Sequence, residues 1–88
     1  MQTDSRDDIL RRIDAIAGQV LSIPDLHLNE TSTAHDVPGW DSLTHVQIII
    51  GVEREFGIRM SVTEVAQLEN AGSLVDVVQH HQSKAADG

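Results

Sequence analysis

Apolar residues recur along this chain in blocks with steps of three and four, separated by polar stretches that break the period. Ile9, Leu10, Ile13, Ile16, Ala17, Val20 and Leu21 form the first block, with Arg11, Arg12, Asp14 and Gln19 between them. This is the stripe of an amphipathic helix. Ser5 followed by Asp8 has the spacing of a capping box, the early acids suit the positive end of the helix dipole, and Pro24 stops continuation, so the helix is predicted over 5–21. The next stretch, IPDLHLNETSTAHDVPGW, has no helical period and is rich in turn formers. It predicts a long connection pinned by Leu26, Leu28, Val37 and Trp40.

From Ser42 to Phe56, Leu43, Val46, Ile49, Ile50, Val52 and Phe56 lie on one broad apolar face, with Phe56 expected to fill the core and Gly57 as the C-terminal cap. The run Ile48, Ile49, Ile50 would suit a buried strand, but the segment is far longer than the usual strand of about 5 to 6 residues. Ser61 with Glu64 opens a short third helix through Val65 and Leu68. Ser73 with Asp76 opens a fourth, with Leu74, Val75, Val77 and Val78 inward, fraying beyond His81. The expected fold class is all-α: a four-helix bundle with a long loop between helices one and two and a short third helix. A single domain is expected over 1–88, ordered over 5–82.

Size and charge narrow the function. Eighty-eight residues make one small domain, in which a deep substrate cavity would consume much of the core, and this favours carrying or binding over catalysis. Fourteen Asp and Glu against six Lys and Arg give a formal charge of −8, which repels nucleic acid and anionic lipid and attracts proteins with basic patches. There is no cysteine, hence no disulfide, thiolate metal site or thiol nucleophile in the chain itself. The N-terminal segment lacks the pattern of a signal peptide and no apolar run approaches a membrane span, so a cytoplasmic monomer is expected.

The chemistry concentrates at Asp41-Ser42-Leu43, where the long loop delivers a serine to the start of the second helix. Taken alone, Ser42 reads as an N-cap. A Ser42–His45 hydrolase dyad lacks an oriented acid and an oxyanion hole. His27, His35, His80 and His81 read as solvated surface groups, since adjacent histidines on a helix point in different directions. Trp40 reads chiefly as a loop anchor, because an indole usually buries.

The whole segment VPGWDSLTHVQIIIGVEREFGI closely resembles the signature of acyl carrier proteins: aspartate, serine and leucine opening an apolar-striped helix that closes on acidic residues, Phe and Gly. The resemblance extends from the first helix to the Ser73–His81 segment, and its specific part is Asp41 to Ile58. It implies the carrier fold and a covalent 4′-phosphopantetheine, taken from coenzyme A, on Ser42. It further implies that Asp41 helps a phosphopantetheinyl transferase engage, and that Leu43, Val46 and Ile50 form an exposed docking edge for acyl-loading and condensing enzymes. The arm's thiol would supply the nucleophile that the chain lacks.

Helix two departs from the densely acidic pattern of fatty-acid carriers. Thr44, His45 and Gln47 follow the serine, and Arg54 sits between Glu53 and Glu55. Thr44, Gln47, Glu53 and Arg54 therefore join the candidate recognition residues, and a free-standing carrier of a polyketide-like or other specialised pathway is expected, poorly used by generic fatty-acid enzymes. Two other readings stay open at this stage: a peptidyl carrier of the same fold, which more often has His before the serine, and an acidic helical adaptor without a prosthetic group.

Overall fold

The computed structural model describes residues 4–87. Within them lie four α-helices and a single turn of 3-10 helix, without strands: α1 (Arg6–Leu21), α2 (Ser42–Phe56), α3 (Val62–Ala66) and α4 (Ala71–Asp87), with the 3-10 turn at Ala34–Asp36 in the long loop. The expected class, helix order and short third helix are all present. The 3-10 turn was not foreseen.

Helix α1 packs on both α2 and α4. It is capped by the Ser5 hydroxyl, which accepts the Asp8 N–H at 3.1 Å. Its end is set at Ser22 rather than by Pro24: Ser22 takes a left-handed conformation (φ 59°), and the Ser22 and Ile23 N–H groups both return to the Gly18 carbonyl. The core joins Ile9, Ile13 and Ala17 of α1 to Ile48 and Val52 of α2, Val75 and Val78 of α4, and Leu28 of the loop. A Cβ at Gly51 would stand 2.6 Å from Ile16 Cγ2, so glycine is what allows α2 to lie this close to α1.

The broad apolar face of α2 divides in two, and the exposed part is the edge that the resemblance implied. Ile48 is fully buried together with Ile49 and Val52, whereas Leu43, Val46 and Ile50 are exposed. Phe56 is only partly buried and lies under the Arg12 guanidinium, 4.9 Å from its ring centroid. Gly57 closes the helix as expected, with φ 64° and its N–H on the Glu53 carbonyl.

Helix α3 has the expected reciprocal cap, with Glu64 N–H on Ser61 Oγ (3.1 Å) and Ser61 N–H on the Glu64 carboxylate (2.9 Å). It stops at Ala66, before Leu68. Helix α4 begins earlier than Ser73. Asn70 is its cap: Asn70 Oδ1 accepts the Ser73 N–H at 2.8 Å, and Ser73 Oγ accepts the Asn70 N–H. The Ala71 and Gly72 N–H groups donate to the Ser32 and Glu30 carbonyls at 2.8 Å, so the long loop itself satisfies the start of α4. The helix does not stop at His81 but continues to Asp87 through good helix formers.

The loop is held to α1 by polar contacts. Asp14, nearly buried, accepts the Leu28 N–H at 2.8 Å and pairs with Arg11 at 2.9 Å, while Arg11 donates to the Leu28 carbonyl at 2.6 Å. Arg6 ties the start of α1 to Glu30 in the loop and to Asp76 and Gln79 in α4. These contacts hold the first half of the loop against α1 and α4.

Candidate functional site

The N-terminus of α2 is built by its neighbours so that Ser42 has no structural task. Asp41, not Ser42, is the N-cap: its Oδ1 accepts the Leu43 and Thr44 N–H groups, each at 3.0 Å. Thr44 returns the contact, its hydroxyl accepting the Asp41 N–H at 2.8 Å and donating to the Gly39 carbonyl at 2.8 Å. The Thr44 N–H, with the Leu43 N–H beside it, holds the Asp41 carboxyl below its ordinary value.

Ser42 is the first helical residue, exposed, and its hydroxyl makes no hydrogen bond among the described residues. Other serines are differently placed. Ser5 and Ser61 cap helices with their side chains, while Ser32 and Ser73 bond to Asn29 and Asn70. Serine at an N-terminus usually reads as a cap, and the signal that could have separated the roles is the Asp41-x-x-Thr44 spacing, a capping box one residue earlier.

Trp40 is the anchor expected of it. It packs against the core, and its Nε1–H donates to His45 Nδ1 at 3.0 Å, with ring centroids 6.2 Å apart. His45 is thereby engaged with Trp40 and makes no contact that would activate Ser42. Trp40, His45, Leu68 and Leu74 line a small apolar cleft of about 60 Å³ between α2 and the α3–α4 junction. That is room for about two waters and far below the roughly 300 Å³ of a typical ligand pocket.

Downstream of Ser42 the outward face of α2 is apolar. Leu43, Val46 and Ile50 are 69%, 54% and 42% exposed and follow at steps of three and four, hence along one face. Gln47 and Arg54 are exposed beside them. Thr44 and Glu53 have internal partners instead: Thr44 the cap, and Glu53 the Met60 N–H at 2.8 Å. Of the histidines, His81 bonds the Glu64 carboxylate at 3.1 Å and His27 lies against Arg11. No group of three or more His, Asp or Glu side chains among the described residues could hold a metal ion.

A phosphodiester on Ser42 fits this geometry. The position is open to solvent, and the helix dipole favours an anion there. Asp41 has already taken the Leu43 and Thr44 N–H groups, so these donors would not hold the phosphate against the protein.

Comparison with known proteins identifies the family. The family described as "Phosphopantetheine attachment site" matches residues 11–78. The acyl carrier protein of Acidothermus cellulolyticus is 30% identical over 74 residues, covering 84% of this chain and 88% of that protein. That of Thermosynechococcus vestitus is 31% identical over 75 residues, covering 84% and 91%. A solution structure of a holo acyl carrier protein from Geobacter metallireducens superposes with a TM-score of 0.82 at 28% identity, over 90% of this chain and 91% of that one. With a family match over most of its length, a shared fold and an open serine at the head of α2, the chain belongs to the acyl carrier protein family and is a phosphopantetheine-dependent carrier, not an enzyme.

Proposed function

We propose that Ser42 is the attachment residue, and that this carrier serves a specialised polyketide-like pathway rather than generic fatty-acid synthesis. The observation that carries the first part is the division of labour at the head of α2: Asp41 caps the helix and Ser42, one residue on, has an exposed hydroxyl without an internal partner. A nucleophile held in a cap would lose that hydrogen bond on modification; Ser42 loses none.

When bound, the arm supplies a terminal thiol that carries acyl groups as thioesters. The chain's own residues position and address it. Asp41, Thr44 and Gly39 fix the first turn of α2. Trp40 anchors the loop that precedes it. Leu43, Val46 and Ile50 give a partner enzyme an apolar edge next to the serine.

The pathway reading rests on α2, where Thr44, His45 and Gln47 stand in place of acids and Arg54 projects outward. Basic docking patches built for an acidic helix meet Arg54 unfavourably. The partners proposed are a phosphopantetheinyl transferase, which would also meet Asp41, and dedicated acyl-loading and condensing enzymes, with the carrier acting as a monomer.

The test is incubation with coenzyme A, magnesium and a transferase, followed by intact mass. The serine oxygen attacks the phosphorus next to the pantetheine, and adenosine 3′,5′-bisphosphate leaves. The wild type gains one phosphopantetheine. Ser42→Ala stays folded and gains nothing, because the cap on Asp41 remains. A modified Ala variant, or a wild type left unmodified by several transferases, would overturn the assignment.

A further inference from the structure

The charges at the end of α2 sort by direction, and the sort leaves a positive end on the docking stripe. Arg54 lies between two acids in sequence, but both acids are engaged elsewhere: Glu53 with the Met60 N–H at 2.8 Å and Glu55 with Arg12 at 3.0 Å. Arg54 makes no ion pair or hydrogen bond among the described residues. Neither does Arg59, which lines the same groove together with Ile50, Ile58, Met60 and Glu53, whose carboxylate is taken by the Met60 N–H. The three arginines of α1 behave oppositely. Arg6 pairs with Glu30 and Asp76, Arg11 with Asp14, and Arg12 with Asp4 and Glu55. In a chain of net charge −8, two exposed guanidiniums without carboxylate partners on one groove are the exception. The dipole at the C-terminus of α2 accounts for a cation at Arg54 but not for Arg59, which lies beyond the helix.

Leu43, Val46, Ile50 and Arg54 continue at steps of three and four, so the apolar stripe runs directly into the basic end. Ser42 and Arg54 are twelve residues apart, about 18 Å along the axis. The stripe therefore has polarity: a carboxylate, Asp41, beside the serine, and guanidiniums at the far end.

Resting on Ser42 as the attachment residue, we propose that the native partner enzyme presents Asp or Glu side chains to Arg54 and Arg59 while an apolar groove receives Leu43, Val46 and Ile50. Guanidinium and carboxylate match in geometry as well as charge. The pairing also fixes direction. Docked the other way round, the partner's carboxylates would face Asp41, so only one orientation brings Ser42 to the mouth of the partner's active site.

The test uses full-length holo protein whose arm has been verified by intact mass. It is assayed with a malonyl transferase that has a basic carrier-docking patch, and with a variant of that enzyme in which two basic residues of the patch facing the end of α2 are replaced by Glu. The charge-reversed transferase should acylate the wild-type carrier with a kcat/KM about three- to tenfold higher at low salt, and the gain should shrink as salt rises. Arg54→Glu with Arg59→Glu should abolish or reverse the preference, and Arg54→Lys with Arg59→Lys should keep part of it. Circular dichroism of each variant should match the wild type, since both side chains are exposed. A verified holo carrier that shows no preference at low salt, or a double Glu variant that keeps it, overturns the proposal alone. A chain that never takes up the arm sinks the attachment reading and this proposal with it.

Discussion

The two faces of α2 are built from the same kinds of residue and have opposite fates. Ile48, Ile49 and Val52 are buried against α1 and the core, while Leu43, Val46 and Ile50, equally apolar, stand in solvent. The polar groups divide in the same way. On the α1 side they are paired: Arg6, Arg11 and Arg12 all have carboxylate partners, and Asp14 holds the loop backbone. On the outward side the Ser42 hydroxyl at one end and the Arg54 and Arg59 guanidiniums at the other lack partners among the described residues. Hydrophobicity alone does not tell a folding face from a docking face; closure of contacts does.

That contrast breaks first at Ile48. Ile48→Ala should lower stability by about 3 kcal/mol in urea unfolding, because it leaves a cavity at the α1–α2 contact. A loss below about 1 kcal/mol would mean that the two faces have been assigned the wrong way round. Next, Asp14→Ala strands the Leu28 N–H and unpairs Arg11, and should cost about 2 kcal/mol, with Asp14→Asn costing less because it can still accept that hydrogen bond. Amide exchange at Leu28 should rise in the Ala variant; unchanged protection there would show that Asp14 does not clamp the loop.

Ser22→Gly should stabilise by about 0.5 to 1 kcal/mol, since the left-handed cap disfavours a side chain. Smallest of all on stability is Ile50→Ala, within about 0.5 kcal/mol, although the same change should cut acyl transfer by partner enzymes. A large stability loss at Ile50 would erase the distinction between the faces. Acid acts on the caps. Asp41, held low by the Thr44 N–H, and Glu64, held low by the Ser61 N–H and then by His81, contribute fully above their ordinary values of 3.8 and 4.5. That contribution is lost as pH falls further, through the depressed folded values. The first turns of α2 and α3 should then lose amide protection before α1 does, and simultaneous loss would argue against local capping.

Much of this was legible in the sequence where the cause is local. Ser5, the Ser61/Glu64 pair and Gly57 mark helix ends through contacts within a few residues, and the structure uses each of them. The start of α4 was not legible. Ser73 and Asp76 have capping-box spacing, but Asn70 and Ser73 form the box, supported by the Ser32 and Glu30 carbonyls from some 40 residues away. A serine in a left-handed cap at Ser22 is equally hard to foresee. The faces of α2 were half legible. Extending each stripe by one turn would have separated them: Ile49 and Val52 lead to Phe56, whereas Val46 and Ile50 lead to Arg54. At the site, the resemblance singled out Asp41 and Ser42, but which of the two caps the helix was not legible, because serine is as good a cap as aspartate until Thr44 is seen to complete the box.

Where the arm goes is the central question. The chain has seven serines, of which Ser42 alone pairs an exposed, unbonded hydroxyl with the start of a helix. After treatment with coenzyme A and a transferase, proteolysis and tandem mass spectrometry should place a single phosphopantetheine on the peptide containing Ser42, with every other serine unmodified. An arm on Ser22, Ser83 or any other residue, or a Ser42 peptide of unchanged mass beside a modified protein, would contradict it.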